Sequence, residues 1–221
     1  MIQTVETGGN RTKRIGIRRI LFELAGIQLC RIGLETAAFS VAERTVLADT
    51  LFNMGFMAAA AIGLLLSAER CGFGPDLLPK RFTWKFILSA VVAAALFASA
   101  VFFTAGEGTE ALLGLVYHAL VTPMFEEILF RGLVWKQLGA DAGRFGWILN
   151  AALFGLWHLG YADVVAWRIF LFHPEADLAQ VLFWKAVTGF CIGAALALLR
   201  KKSGSTFLPF LLHVAINAVG S

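Results

Sequence analysis

The sequence predicts an all-α polytopic membrane protein, built as a bundle of six or seven transmembrane helices around a buried polar cavity. Two observations support this fold class. Only 15% of the residues are charged, whereas a soluble domain carries about a quarter. The apolar residues also occur in long runs almost free of charge, at 51–67, 86–105, 111–134, 181–199 and 207–219. A bilayer-spanning helix needs about 20 such residues.

The charges between these runs alternate in sign along the chain and predict the topology. Basic residues dominate the loops at 68–85, 136–146 and 200–205, and acidic residues dominate those at 105–110 and 163–178. Because cytoplasmic loops carry an excess of Lys and Arg, we place the basic loops in the cytoplasm and the protein in the cell membrane. The net charge is +4, and the basic residues cluster at helix ends without forming a basic face. We therefore expect no nucleic-acid partner.

The segment at 20–42 follows a basic N-terminus and leaves two alternatives open. Its charged residues Glu23, Arg31 and Glu35 make a crossing expensive, at about 2.5–3.5 kcal/mol each near a helix centre. The segment either crosses as a protein-shielded seventh span, which we favour, or lies at the interface as an amphipathic helix. The chain then divides into an N-terminal region at 1–42, two accessory transmembrane helices at 43–108, and a core of four transmembrane helices at 109–221.

Three ionisable residues lie in the cytoplasmic half of the otherwise apolar run at 111–134. They are Glu126, Glu127 and Arg131, and burying them costs several kcal/mol unless other groups hold them. Glu127 and Arg131 are i,i+4 neighbours and can form an ion pair along the helix. Glu126 is turned about 100° away from Glu127, so its partner has to come from another helix.

Two further apolar helices supply candidate partners for Glu126. Phe154 and His158 share a face on the first, and His213 and Asn217 share a face on the second. His158 is the leading candidate. A single histidine in a membrane helix is more often a packing residue than a ligand. Two histidines, an amide and a carboxylate pair on several spans favour a functional site.

The depth of these residues in the membrane provides an independent argument. Counted inward from the cytoplasmic loops, Glu126, His158 and His213 lie roughly 10–18 Å deep at 1.5 Å per residue. We therefore expect them to meet in one cavity that opens to the cytoplasmic side, the side of Lys136 and Lys201.

This set of residues suits hydrolytic acyl transfer. The sequence contains no Gly-x-Ser-x-Gly elbow and no His-Glu-x-x-His helix, which argues against a serine hydrolase and a zincin. A carboxylate beside a histidine can activate water as a general base, and a histidine with an amide can stabilise an oxyanion. Two other polar residues receive ordinary roles: Lys185 can snorkel to the interface, and His118 is expected to pack.

Three motifs, in this order and on successive apolar helices, carry a resemblance to a known family. They are Glu126-Glu127-x-x-x-Arg131, Phe154-x-x-x-His158 and His213-x-x-x-Asn217. They resemble the signature of the CPBP family of intramembrane proteases, which includes CAAX proteases and bacteriocin-processing enzymes and is also called the Abi or Rce1-like family. The resemblance covers about 109–221, and the preceding residues show only a generic membrane-helix pattern.

The resemblance implies an endopeptidase whose active site lies inside the membrane and whose substrate is a membrane-associated peptide or protein. It implies that Glu126 is the general base and shares the attacking water with His158. It implies that His213 and Asn217 stabilise the oxyanion.

The resemblance also implies that Glu127 and Arg131 orient the site, with Arg131 able to reach a substrate carboxylate. Members of the family are often described as metalloproteases. Zinc could be held by Glu126, His158 and His213, since zinc accepts histidine and carboxylate ligands. Water activated by glutamate needs no metal, and we favour a site without a metal or any other cofactor.

A second class of function stays open at this point. The chain could be a non-catalytic membrane protein, such as an immunity or scaffold protein, or an ion or proton carrier that uses the same buried groups. Many transporters contain an internal repeat with broken helices, and the sequence shows no such repeat. We therefore favour the peptidase.

Overall fold

The computed structural model describes residues 16–70, 75–79, 81–139, 143 and 145–220. Within these ranges the chain forms seven helical segments and no strand. The segments are α1 (Ile17–Phe39), α2 (Val46–Arg70), α3 (Trp84–Glu107), α4 (Thr109–Leu138), α5 (Gly146–Phe172), α6 (Leu178–Ser203) and α7 (Phe207–Val219). The basic N-terminus at 1–15 lies outside the described residues.

Five of these helices, α2 to α6, are long and apolar enough to cross a membrane. Helix α7 is apolar but shorter. Large apolar side chains cover the outside of the bundle, as expected for a surface in contact with lipid. The prediction of an all-α polytopic membrane protein is therefore confirmed.

Successive helices run in opposite directions, so the bundle has two ends of different charge. We call the end with Lys136 and Lys201 the basic end, and the end with Glu175 and Asp177 the acidic end. This arrangement matches the alternation of loop charges along the sequence.

Helix α1 runs beside the bundle, and its charged residues form hydrogen bonds and ion pairs with other helices. Near its start, Glu23 accepts a hydrogen bond of 2.6 Å from Gln137 of α4. Further along, Arg31 is only 1% exposed and forms ion pairs with Glu35 and, at 2.6 Å, with Asp163 of α5. These contacts match the protein-shielded alternative for this segment. That α1 crosses the membrane stays a prediction, as does the division of the chain into three regions.

Replacing Arg31 with methionine is expected to lower the free energy of unfolding by about 1.5–3 kcal/mol, because it removes hydrogen bonds between charged groups and leaves the buried carboxylate of Glu35 with Arg44 as its cation. Thermal unfolding in detergent measures this loss. Arg19→Met is the control, since Arg19 forms an exposed ion pair with Glu23, with side chains 64% and 39% exposed, and such pairs contribute little. An unchanged melting temperature for Arg31→Met would contradict this role of the ion-pair cluster.

The helices that carry the motif residues change their winding near those residues. In α4, two stretches of π-helix, Tyr117–Val121 and Ile128–Val134, flank the α-helical turn Thr122–Glu127 with both glutamates. In α5, the α-helix ends at Trp157 and continues as a 3₁₀ turn, His158–Tyr161. Such turns are uncommon, and π-helical turns are frequent at functional sites.

The short segment at 75–77 bridges three helices at the basic end of the bundle. The carbonyl oxygen of Asp76 accepts a hydrogen bond of 2.9 Å from the backbone N–H of Thr206 at the start of α7. The carboxylate of Asp76 pairs with Arg200 at 3.3 Å and with Lys136 at 3.6 Å. The segment therefore ties α4, α6 and α7 together at this end.

Candidate active site

A cavity of about 790 Å³ lies between α4, α5, α6 and α7. The residues of its wall include Glu126, His158, His213 and Asn217. The prediction that the helices carrying these residues pack around one polar cavity is confirmed.

The cavity extends towards the acidic end of the bundle. Its wall continues to Glu175 and Asp177, whereas Lys136 and Lys201 line a different pocket. The prediction that the cavity opens on the side of Lys136 and Lys201 is therefore wrong. The depth of a residue along its helix gives its level in the bundle, but it does not show towards which end a cavity continues. Here the buried part of α4 at 127–134 separates the cavity from the basic end.

Glu127 belongs to a chain of buried polar contacts beneath the cavity. Arg131 donates a hydrogen bond of 3.1 Å to the Oε1 atom of Glu127, which confirms the predicted ion pair along the helix. The same oxygen lies 3.0 Å from Nδ1 of His213. Arg131 is fully buried and also donates to the carbonyl oxygen of Gly193 at 3.0 Å. The guanidinium of Arg131 therefore contacts other protein groups and does not line the cavity.

Glu126 lies on the cavity wall, and its contact across helices is with His213. The carboxylate is 3% exposed, and its Oε2 atom lies 3.9 Å from Nε2 of His213. The prediction that Glu126 finds its partner on another helix is confirmed. That partner is His213, whereas the leading candidate His158 lines the same cavity on α5.

The imidazole of His158 is oriented by its own helix and by a glycine of α6. Nδ1 lies 2.7 Å from the carbonyl oxygen of Phe154. A carbonyl can only accept, so Nδ1 carries the proton, and Nε2 of the neutral ring is an acceptor. The ring fits because residue 189 is glycine: a Cβ atom at Gly189 would lie 2.7 Å from Nδ1 of His158.

Comparison with known proteins identifies the family. The family described as type II CAAX prenyl endopeptidase Rce1-like matches residues 107–219, which include all of the motif residues. The chain belongs to the Rce1-like family. The suspected resemblance is thereby confirmed, and at family level the protein is a CAAX-type intramembrane endopeptidase. Neither a curated protein nor a solved structure matches the chain.

Asn217 of this Rce1-like protein is bound to the backbone of α4. Its amide Nδ2 donates a hydrogen bond of 2.8 Å to the carbonyl oxygen of His118, which lies in the π-helical stretch Tyr117–Val121. His118 itself lines the cavity, as does Lys185 of α6. The predicted roles, packing for His118 and snorkelling for Lys185, therefore do not describe these residues fully. The function of Asn217 as an oxyanion donor stays a prediction.

The motif residues of the Rce1-like core do not fit a metal centre. Among the residues that the structure describes, no three His, Cys, Asp or Glu side chains are grouped so that they could hold a metal ion. The alternative ligand set of Glu126, His158 and His213 is therefore not arranged as a metal site.

Two glycines of α6 that lie outside the three motifs make room for the site. Gly189 accommodates His158, and a Cβ atom at Gly193 would lie 2.9 Å from Cδ1 of Phe154. The two glycines are one helical turn apart in an apolar run, a spacing that lets membrane helices approach closely. That spacing is the feature of the sequence from which the two glycines could have been predicted.

Gly189→Ala is expected to reduce peptide cleavage strongly, because the new Cβ atom has to displace the imidazole of His158. The measurement is the cleavage rate beside the melting temperature. Gly55→Ala is the matched control, since a Cβ atom at Gly55 of α2 meets nothing within 4 Å. If both variants cleave at the wild-type rate, the fixed position of His158 is unimportant for activity.

Proposed function

We propose that this protein is an intramembrane endopeptidase that hydrolyses a peptide bond of a membrane-associated protein or peptide with glutamate-activated water. One observation carries this proposal. The nearly buried carboxylate of Glu126 shares a cavity with His158, whose Nε2 atom is an acceptor. A water between these groups can be held by both and can lose its proton to the carboxylate.

The proposed reaction uses the groups of the cavity in two steps. The water oxygen bonds to the scissile carbonyl carbon while its proton moves to Glu126. The carbon–nitrogen bond then breaks, and Glu126 gives a proton to the leaving amine. In its protonated form, His213 donates from Nε2 to the developing oxyanion, while Glu127 at Nδ1 stabilises the imidazolium charge. We assign Asn217 a supporting role beside His213.

We further propose that the protein sits in the cell membrane with its basic end in the cytoplasm, as the excess of Lys and Arg there favours. The cavity extends to the acidic end. If the basic end lies in the cytoplasm, the cavity cannot open to the cytoplasm. We therefore propose that substrates reach the site from the opposite side of the membrane.

Cysteine labelling in intact cells tests this orientation. In a variant whose natural cysteines are replaced by serine, Glu175→Cys is expected to react with a membrane-impermeant maleimide. Lys202→Cys is expected to react only after the cells are opened. The reverse pattern would place the opening of the cavity in the cytoplasm.

The proposed activity is tested with purified protein in liposomes and a library of membrane-anchored peptides, with products identified by mass spectrometry. Wild-type protein is expected to release discrete products, and the Glu126→Gln variant is expected to release none of them. Equal cleavage by both proteins, or no cleavage by wild type, would contradict the proposal.

A further inference from the structure

Lys185 is a charged residue inside a candidate membrane span, and it lines the cavity. Within the described ranges, its ammonium group forms no hydrogen bond or ion pair. Charged residues in membrane helices usually face a protein interior or a water-filled cavity, and they often mark the path of a ligand. The position of Lys185 on the cavity wall agrees with that rule.

The other charges near the mouth of the cavity already have partners. Arg168 pairs with Asp49 at 3.2 Å. Asp177 caps the start of α6 by accepting hydrogen bonds from two backbone N–H groups, at 2.8 and 3.4 Å. Glu175 lies 3.8 Å from His173. Lys185 is therefore the cation of the described cavity wall that is available to a ligand.

The position of Lys185 along α6 relates it to the site. Lys185 and Gly189 are i,i+4 neighbours on one face of the helix, and Gly189 packs against His158. Lys185 therefore lies about one turn, roughly 6 Å, from the level of His158, on the side of the acidic end. A ligand bound there lies between the mouth of the cavity and the groups proposed to perform hydrolysis.

We propose that Lys185 binds a carboxylate of the substrate and thereby selects peptides with a negative charge close to the scissile bond. This inference rests on the proposed function and names a feature of its substrates. An ammonium group is a compact point charge that can bind either a C-terminal carboxylate or an acidic side chain. These two sources share one chemistry and are separated by the experiment.

The experiment measures retention of randomised, palmitoylated peptide pools on immobilised protein that carries Glu126→Gln, so that peptides are not consumed. The pools end in a free carboxylate, in a C-terminal amide, or in a C-terminal amide preceded by a fixed glutamate. We expect the free-carboxylate pool to be retained about 10- to 100-fold better than the plain amide, the range for a hydrogen bond to a charged group. Retention of the glutamate pool shows whether a side-chain carboxylate serves equally.

Variants of Lys185 decide whether this residue is the cause. Lys185→Met, which is similar in length, is expected to remove the preference, and Lys185→Arg is expected to keep it. Lys201→Met removes a cation at the basic end and is expected to change nothing. Equal retention of all pools by the Lys185 protein, or a preference that survives Lys185→Met, overturns the inference.

The cleavage assay separates this inference from the proposed function. If carboxylate pools are preferred but the active protein cleaves none of the peptides, the proposed function fails and the binding role of Lys185 stands. If peptides are cleaved without regard to their charge, the inference about Lys185 fails and the endopeptidase stands.

Discussion

Glu126→Gln is expected to lower the rate of peptide cleavage by at least about 10²–10⁴-fold, the usual contribution of a general base. The substitution keeps the shape of the side chain and removes the group that takes the proton from water. Because Glu126 does not belong to the ion pair between Glu127 and Arg131, we expect the melting temperature to stay close to that of wild type. Cleavage in liposomes and thermal unfolding in detergent are measured on the same preparation.

The control for this variant is Glu110→Gln, which makes the same chemical change at an exposed position of α4. It is expected to leave both activity and stability unchanged. Full activity of Glu126→Gln would remove Glu126 from the reaction. A large fall in melting temperature would instead show that its charge belongs to the folded core.

Glu127→Gln is expected to lower the free energy of unfolding by about 3–5 kcal/mol, because it leaves the fully buried guanidinium of Arg131 without its carboxylate. It should also slow cleavage directly. The Oε1 atom of Glu127 lies 3.0 Å from Nδ1 of His213, so the variant replaces the carboxylate that holds the imidazole with a neutral amide. The melting temperature and the cleavage rate of the folded protein are measured separately.

The double variant Glu127→Gln with Arg131→Met separates these two effects. Removing both charges abolishes the buried unpaired cation, so we expect much of the lost stability to return. Cleavage should stay low because His213 still lacks its carboxylate. Recovery of both stability and activity would show that the contact between Glu127 and His213 does not matter for the reaction.

The sequence was sufficient for features that depend on neighbouring residues along one helix. Long apolar runs predicted α2, α3, α4, α6 and α7, because the membrane requires such runs wherever a helix crosses it. The ion pair of Glu127 and Arg131 was predictable for the same reason, since residues four positions apart on a helix always lie on one face.

Contacts between helices could not be predicted to the same degree. The hydrogen bond that joins His213 to Glu127 depends on how α7 is rotated against α4, and helical periodicity contains no information about that rotation. The same holds for Lys185 and His118, whose faces meet the cavity only because of the way their helices pack. The direction of the opening depended on how the buried part of α4 at 127–134 packs against the neighbouring helices, which helical periodicity does not show either.

The separation of the cavity from the basic end limits the path that a polypeptide can take. The hydrogen-bonded pair of Glu127 and Arg131 is buried beneath the cavity, and Glu127 is also hydrogen-bonded to His213 on the cavity wall. The cavity therefore does not continue to the basic end, and a chain cannot thread through the bundle from one side to the other. A substrate has to arrive and its fragments have to leave through the same side of the cavity. Such a chamber suits the trimming of a free chain terminus or of a loop short enough to double back, and it disfavours processive digestion.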